Sequence, residues 1–239
     1  MIEAKGICKS FRQWDGSTFT ALSDVSLKIE DGQLAVIAGE NGSGKSLLMK
    51  ILAGLEKPSA GEVTSTQPIG LVFQDADAQI LADTVIEDVK FSLRNRKDMK
   101  KDEILEKARQ ALCSVGLESK ENNPSHMLSG GEKRRLAIAS VIALDRRTLI
   151  LDEPYSNLDY PGVKSVNALI EKLKAEGFTI LILTHELEKC LGLADRFLIL
   201  SKGNLVFDGN PQQAIEEDLE SWGIRRPTDG GDIRSLVWR

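Results

Sequence analysis

The chain has 239 residues, 41% of them hydrophobic and 28% charged, which is enough apolar content for a sizeable buried core. A formal net charge of −5 argues against a nucleic-acid binder, because phosphate contacts call for a basic face. The three cysteines, Cys8, Cys113 and Cys190, and the two histidines, His126 and His185, show neither metal-ligand spacing nor a disulfide framework, which points to a reducing cytoplasm.

Taken in order, the first 30 residues include "ALSDVSLKIEDG", whose alternation predicts an antiparallel β edge. "QLAVIAG" (33–39) reads as a buried strand and "SLLMKILAGL" (46–55) as the helix after it. "IGLVFQ" (69–74) is a second buried strand. From about 84 to 145 the pattern turns helical: in "DEILEKARQALCSVG", Ile104, Leu105, Ala108, Ala111, Leu112 and Val115 recur at helical spacing and Gly116 closes the run. "TLILDEP" (148–154), "FTILILTH" (178–185) and "RFLILSKG" (196–203) return to buried strands. The expectation is an α/β domain over 1–215 with a mainly parallel sheet and a helical insertion at about 84–145. Residues 216–239 are expected to form a short helix and a loose tail. No apolar run is long enough to cross a bilayer, and "MIEAKGICKS" has no signal-peptide character, so work at a membrane would go through a partner.

Gly39-Glu40-Asn41-Gly42-Ser43-Gly44-Lys45-Ser46 lies between a strand and a helix, as a phosphate loop requires. The glycines let backbone N–H groups curl toward phosphate oxygens. Lys45 would reach the β- and γ-phosphates, and the Ser46 hydroxyl would ligate Mg²⁺. At the carboxyl end of another strand, Asp152 supplies a metal-side carboxylate and Glu153 a group to polarise water. His185 ends a third strand on the same expected face. "HMLSGGEKRR" (126–135) is a second anion-binding design, a Ser-Gly-Gly turn opening a helix. Its bland reading is a capped surface helix, with Ser129 as N-cap and Lys133, Arg134 and Arg135 on the solvated side.

Together these stretches resemble the ATPase subunits of ABC transporters, over about residues 2–212. "GENGSGKS" matches Walker A, Gln74 the Q-loop, "LSGGE" (128–132) the signature, "LILDE" (149–153) Walker B, "SNLD" (156–159) the D-loop and His185 the switch histidine. The resemblance implies a P-loop NTPase (RecA-like) core with an antiparallel β subdomain and an inserted helical subdomain. It implies ATP and Mg²⁺ as cofactors, and Phe11 as the aromatic stacking on adenine, with Trp14 a poorer match. It also resolves the double anion site. Two such chains pair head to tail, so that Ser129, Gly130 and Gly131, with Asp159 of the D-loop, serve ATP held by the other copy's Walker A. Leu47 departs from the family's usual threonine, which predicts weakened nucleotide contacts rather than a dead site.

"VFQDADAQILADTVIEDVKFSLRN" (72–95) is similar to the segment after the Q-loop in energy-coupling factor (ECF) and cobalt-type transporters. It keeps Gln74, Asp77, Gln79, Thr84, Val85, Asp88, Val89 and Phe91 but lacks the Asn-Pro pair, having Asp75-Ala76, and the usual Gly-Pro after the phenylalanine. This resemblance implies a vitamin or transition-metal importer. The chain would sit at the cytoplasmic face of the membrane with a second ABC ATPase subunit (homo- or heterodimer), an integral membrane scaffold subunit and a substrate-binding membrane protein, without nucleic acid. Asp75, Asp77, Asp83, Glu87 and Asp88 are expected to receive basic helices of the membrane subunit. The competing readings are the ATPase of another ABC transporter and a soluble, non-transport ABC protein.

Overall fold

A computed structural model of the chain describes residues 1–96, 98–227 and 232–239. Its centre is a six-stranded sheet built from β3 (Leu34–Ala38), β5 (Ile69–Val72), β6 (Thr148–Asp152), β7 (Thr179–Leu183), β8 (Arg196–Ser201) and β9 (Asn204–Gly209), in the order β5-β6-β7-β3-β8-β9. All neighbouring pairs are parallel except β8–β9. β9 is not foreseen by the sequence reading. Its signal lies in the two-residue turn Lys202-Gly203, where both residues have positive φ, as a tight hairpin with right-handed strand twist requires.

The strands β3, β6 and β7 are buried along their whole length because both faces of the sheet are covered. Successive side chains point to opposite faces, so each strand feeds two cores. Ala35 and Ile37 join Ile150, Leu181 and Leu198 under a three-stranded antiparallel sheet, β2-β1-β4, formed by β1 (Ile2–Arg12), β2 (Thr18–Ile29) and β4 (Ala60–Ser65). Helix α1 (Lys45–Leu52) fills the same layer with Leu48, Met49, Ile51 and Leu52. Leu34, Val36, Leu149, Leu151, Ile180 and Ile182 face the other way, onto the helices.

Those helices are α2 (Ala76–Gln79), α3 (Val85–Leu93), α4 (Lys101–Ser114), α5 (Gly130–Ile142) and α6 (Tyr160–Ala175). Helix α4 buries Ala108, Ala111 and Leu112, and the chain turns after it through Gly116 at φ +68°, a conformation glycine adopts without a Cβ penalty. A last short helix, α7 (Pro211–Ala214), follows β9. Beyond it the expected short helix corresponds to a 3₁₀ helix, Leu219–Trp222, and residues 228–231 of the expected tail lie outside the described residues. The described part of that tail is not loose. A second 3₁₀ turn, Ile233–Ser235, brings Ile233 and Leu236 into the helical-side core, with Val237 and Trp238 packed against it. Among the described residues no helix is long and apolar enough to cross a membrane.

Candidate functional site

The loop between β3 and α1 is shaped by close backbone approach. A Cβ on Gly39 would lie 2.2 Å from the Leu200 carbonyl oxygen, and one on Gly44, at φ +102°, would lie 2.7 Å from Leu22 Cδ2. Only glycine fits at either position. The loop is tied to the β8–β9 turn by Gly203 N–H donating to the Ser43 carbonyl at 3.0 Å. Ser43 is buried and its hydroxyl has no hydrogen-bond partner among the described residues, whereas Asn41, Gly42 and Ser46 are exposed at the loop mouth. Lys45 folds back over the loop, donating to the carbonyls of Gly39 (2.6 Å) and Glu40 (3.0 Å). Burial depresses its pKa, while Glu153, Asp152 and Glu40 oppose that shift.

Asp152 and Glu153 stand at the carboxyl end of β6. Burial raises the Asp152 pKa, Glu153 raises it further, and Lys45 and Arg134 pull it back. Its carboxylate accepts no hydrogen bond among the described residues. Glu153 turns the chain out of the strand at φ +44°, unfavourable for a residue with a Cβ, and its N–H donates to the Leu183 carbonyl of β7 at 2.8 Å. That turn aims the side chain at β7's exit. Thr184 Oγ1 donates to Glu153 Oε2 at 3.0 Å, and His185 Nδ1 lies 2.9 Å from Glu153 Oε1. Lys45, Asp152, Glu153 and His185 are thus brought together at one end of the parallel sheet, where ligands of open α/β folds sit. Thr184 is absent from the sequence reading. Its signal was modest: a hydroxyl directly before His185, at the end of a fully buried strand.

The signature stretch lies elsewhere. Ser129 caps α5 in a capping box: its hydroxyl accepts from Glu132 N–H, and its own N–H donates to the Glu132 carboxylate at 3.0 Å. Lys120 beside Glu132 holds that carboxyl below its ordinary pKa. Gly130 and Gly131 press against the D-loop and the start of α6. A Cβ on Gly131 would lie 3.1 Å from Gly162 Cα, and one on Gly130 would lie 3.0 Å from Leu158 Cδ2. Asp159 caps α6 by accepting from Gly162 N–H at 2.9 Å. Among the described residues no hydrogen bond joins this region to residues 39–46. Phe11 is 42% exposed on β1, with Lys9 Nζ 5.2 Å from its ring, and Trp14 is fully exposed. Leu47 is half-buried and packs against the α1-side core, so its side chain serves packing.

The basic run after the signature is not a solvated face. Arg134 is 3% exposed and donates to the Phe73 carbonyl and, at 2.7 Å, to the Gln74 carbonyl. It falls on the helix stripe Gly131, Arg134, Ile138, Val141, where a charged residue signals a buried partner. Arg135 donates to the carbonyls of Val115 (2.8 Å) and Gly116 (3.2 Å), capping the end of α4, and Lys133 pairs with Asp77 at 2.6 Å. Gln74, held on Arg134, reaches Ser156 Oγ at 3.4 Å. Gln74, Gly130, Arg134, Ser156 and Leu158 line one cleft of about 330 Å³. The acidic stretch is largely occupied as well. Asp75 caps α2, Asp77 pairs with Lys133, Glu87 with Lys90, and buried Asp88 accepts from Leu81 N–H, Ala82 N–H and the Ser140 hydroxyl. Asp75, Asp77 and Asp83 remain exposed, and the same surface carries an apolar feature: Leu81 and Phe91 are 66% and 41% exposed beside a groove of about 340 Å³ floored by Leu71, Val141 and Leu144.

The profile of the ABC transporter family matches residues 22–156. The chain belongs to the ABC transporter ATPase family. It is 41% identical over 212 residues to the energy-coupling factor transporter ATP-binding protein EcfA2 of Methanospirillum hungatei, covering 82% of this chain and 53% of that protein. The chain therefore spans about half the length of that relative. It is also 37% identical over 232 residues to EcfA1 of Caldanaerobacter subterraneus, covering 91% of this chain and 83% of the relative. Among solved structures it is similar to cbiO1 of Clostridium perfringens, described as part of the ABC transporter complex cbiONQ, with TM-score 0.80, 33% identity and 90% of each chain covered. The dimeric ATP-binding cassette MJ0796, bound to ADP and Pi, is similar at TM-score 0.77 and 27% identity over 88% of this chain and 99% of that one.

Proposed function

We propose that the chain is the ATP-binding and ATP-hydrolysing subunit of an ECF-type importer for a vitamin or transition-metal ion. In this reading, closure of a head-to-tail dimer drives an integral membrane scaffold subunit and a substrate-binding membrane protein from the cytoplasmic face. The observation that carries it is the division of the site. Lys45, Asp152, Glu153 and His185 converge at one sheet end, while Ser129 and Gly130 are exposed at the start of α5 and Gly131 packs on Gly162, with no hydrogen bond among the described residues joining them to residues 39–46. The relatives' names support the transporter class, and the cbiO1 and MJ0796 structures support assembly into a complex and a dimer.

In this account the loop N–H groups from Gly39, Asn41, Gly42, Ser43 and Gly44 cradle the phosphates and Lys45 exchanges its carbonyl partners for phosphate oxygens. Phe11 offers its exposed ring to adenine. Ser46, Asp152 and the Gln74 side chain are hard oxygen donors that fit Mg²⁺. Bound Mg²⁺ would neutralise developing phosphate charge. Glu153, held by Thr184 and His185, takes the proton of the attacking water, and Asp159 and Ser129 complete the partner copy's site. The exposed apolar groove at Leu81 and Phe91 is where a membrane-subunit helix would dock, by burial more than by charge.

Glu153→Gln tests the reading: the amide keeps the shape and removes the base. Turnover should fall by roughly 10²-fold or more while ATP-bound dimers accumulate. Near-normal turnover would reject the role.

A further inference from the structure

We propose that Trp238 is a positioning residue for the hydrolytic site, part of a strap, Asp232–Arg239, that fastens the segments after Asp159 and His185 to one another and, through Thr184, sets Glu153. This rests on the assignment of Glu153 and His185 above and deepens it. Trp238 is joined to the segment after His185 by three contacts. Its N–H donates to the Lys189 carbonyl at 3.2 Å, its ring lies 5.1 Å from Lys189 Nζ, and its carbonyl shares the Asn167 amide with that of Lys189, at 3.1 and 2.8 Å. Asn167 is a 1% exposed residue of α6, so this knot is buried between two elements. On its other side the Trp238 ring meets Tyr160, centroids 5.5 Å apart. Tyr160 opens α6 directly after Asp159, and its hydroxyl donates to the Arg239 backbone oxygen at 2.8 Å.

From Lys189 the connection continues without a gap. Lys189, 7% exposed, pairs with Glu186. Glu186 N–H donates to Thr184 Oγ1 at 3.1 Å, and the same hydroxyl donates to Glu153 Oε2 at 3.0 Å. One hydroxyl with one proton and two lone pairs can do both. Further along, Gly192 N–H donates to the Leu236 carbonyl at 3.0 Å, and a Cβ on Gly192 would lie 2.7 Å from the Ile233 carbonyl oxygen, so the strap lies flat on this segment. Residues 184–193 hold only two 3₁₀ turns, Leu187–Lys189 and Leu191–Leu193, and such segments open locally unless something packs on them. The strap supplies that packing. The carboxylate of Glu153 and the residue before Tyr160 are thereby set by one tryptophan.

The test uses the whole 239-residue chain and three readouts: kcat, ATP affinity of the Walker A side, and the melting temperature. Trp238→Leu keeps apolar volume and loses the ring. It should lower kcat by about 2- to 30-fold, with ATP affinity unchanged. Trp238→Phe retains a ring for Tyr160 and Lys189 and should restore most of kcat. Thr184→Val cuts the path at its last step, so the double variant Thr184→Val/Trp238→Leu should be no slower than Thr184→Val alone. Should Trp238→Leu fail to fold, Tyr160→Leu, which removes the same ring contact from a half-exposed position, is read in the same way. Wild-type kcat in Trp238→Leu, additive losses in the double variant, or a loss of kcat that tracks ATP affinity would overturn the proposal. If Glu153→Gln is inactive while Trp238→Leu is fully active, the strap alone falls; if Glu153→Gln is active, the catalytic assignment falls with it.

Discussion

Arg134 offers the sharpest perturbation of the scaffold around the site, because it links the signature helix to the Q-loop. In Arg134→Met, two charge-assisted hydrogen bonds to the Phe73 and Gln74 carbonyls disappear. Each is worth about 1.5–3 kcal/mol. Three effects offset the loss. The guanidinium is held at a desolvation cost, shown by its depressed pKa and its unpartnered buried Nε, and the thioether fills most of its volume. The freed carbonyls belong to exposed residues and recover water. The net destabilisation should be about 1–3 kcal/mol, read as a lower urea midpoint with unchanged slope. The larger effect should be on turnover: with Gln74 no longer held near Ser156, kcat should fall while ATP affinity at Lys45 stays the same. Arg134→Lys, a point charge that cannot span both carbonyls, should fall between. Wild-type urea midpoint and kcat in Arg134→Met would refute the reasoning.

Ser129→Arg should block dimer closure and abolish turnover while ATP binding to the Walker A side survives. Loss of the N-cap should add only about 0.5–2 kcal/mol of destabilisation in a thermal melt. Loss of nucleotide binding would contradict the division of the site. For Asp152, the raised pKa means that the native state holds its proton more tightly than the unfolded chain. Stability therefore declines as pH rises from the ordinary aspartate range through that raised pKa, and the ionised carboxylate is a cost at neutral pH. Asp152→Asn should raise the melting temperature of the nucleotide-free chain at pH 7, with the gain vanishing at low pH, and should lose Mg²⁺-dependent turnover. An unchanged or lower melting temperature would refute the sign.

The fold was legible where one rule governs. The largely apolar, fully buried runs at β3, β6 and β7 are strands because a sheet covered on both faces leaves no solvated side, and the glycines at 39 and 44 mark backbone approaches that only glycine tolerates. The residues gathered at the sheet end were legible from the same strands: Asp152 ends β6, Glu153 and His185 follow β6 and β7 closely, and Lys45 opens the helix after β3 and its loop. What escaped depends on tertiary contacts. The run Lys133-Arg134-Arg135 has the composition of a solvated face, yet each side chain finds a partner on a different element. The acidic residues after Gln74 cap and pair locally, which charge counting cannot distinguish from a docking surface. The final eight residues hold Ile233, Leu236, Val237 and Trp238, but so short a stretch does not specify its own partners, so nothing in their sequence foretold that Trp238 would meet both Tyr160 and Lys189.

A dilution series of the purified chain probes the shared site most directly, with turnover per chain and light scattering followed together. If each copy lends its signature to the other, turnover per chain should climb with the dimer fraction and vanish as the chain becomes monomeric. Constant turnover in a chain that light scattering shows to be monomeric throughout would contradict the account.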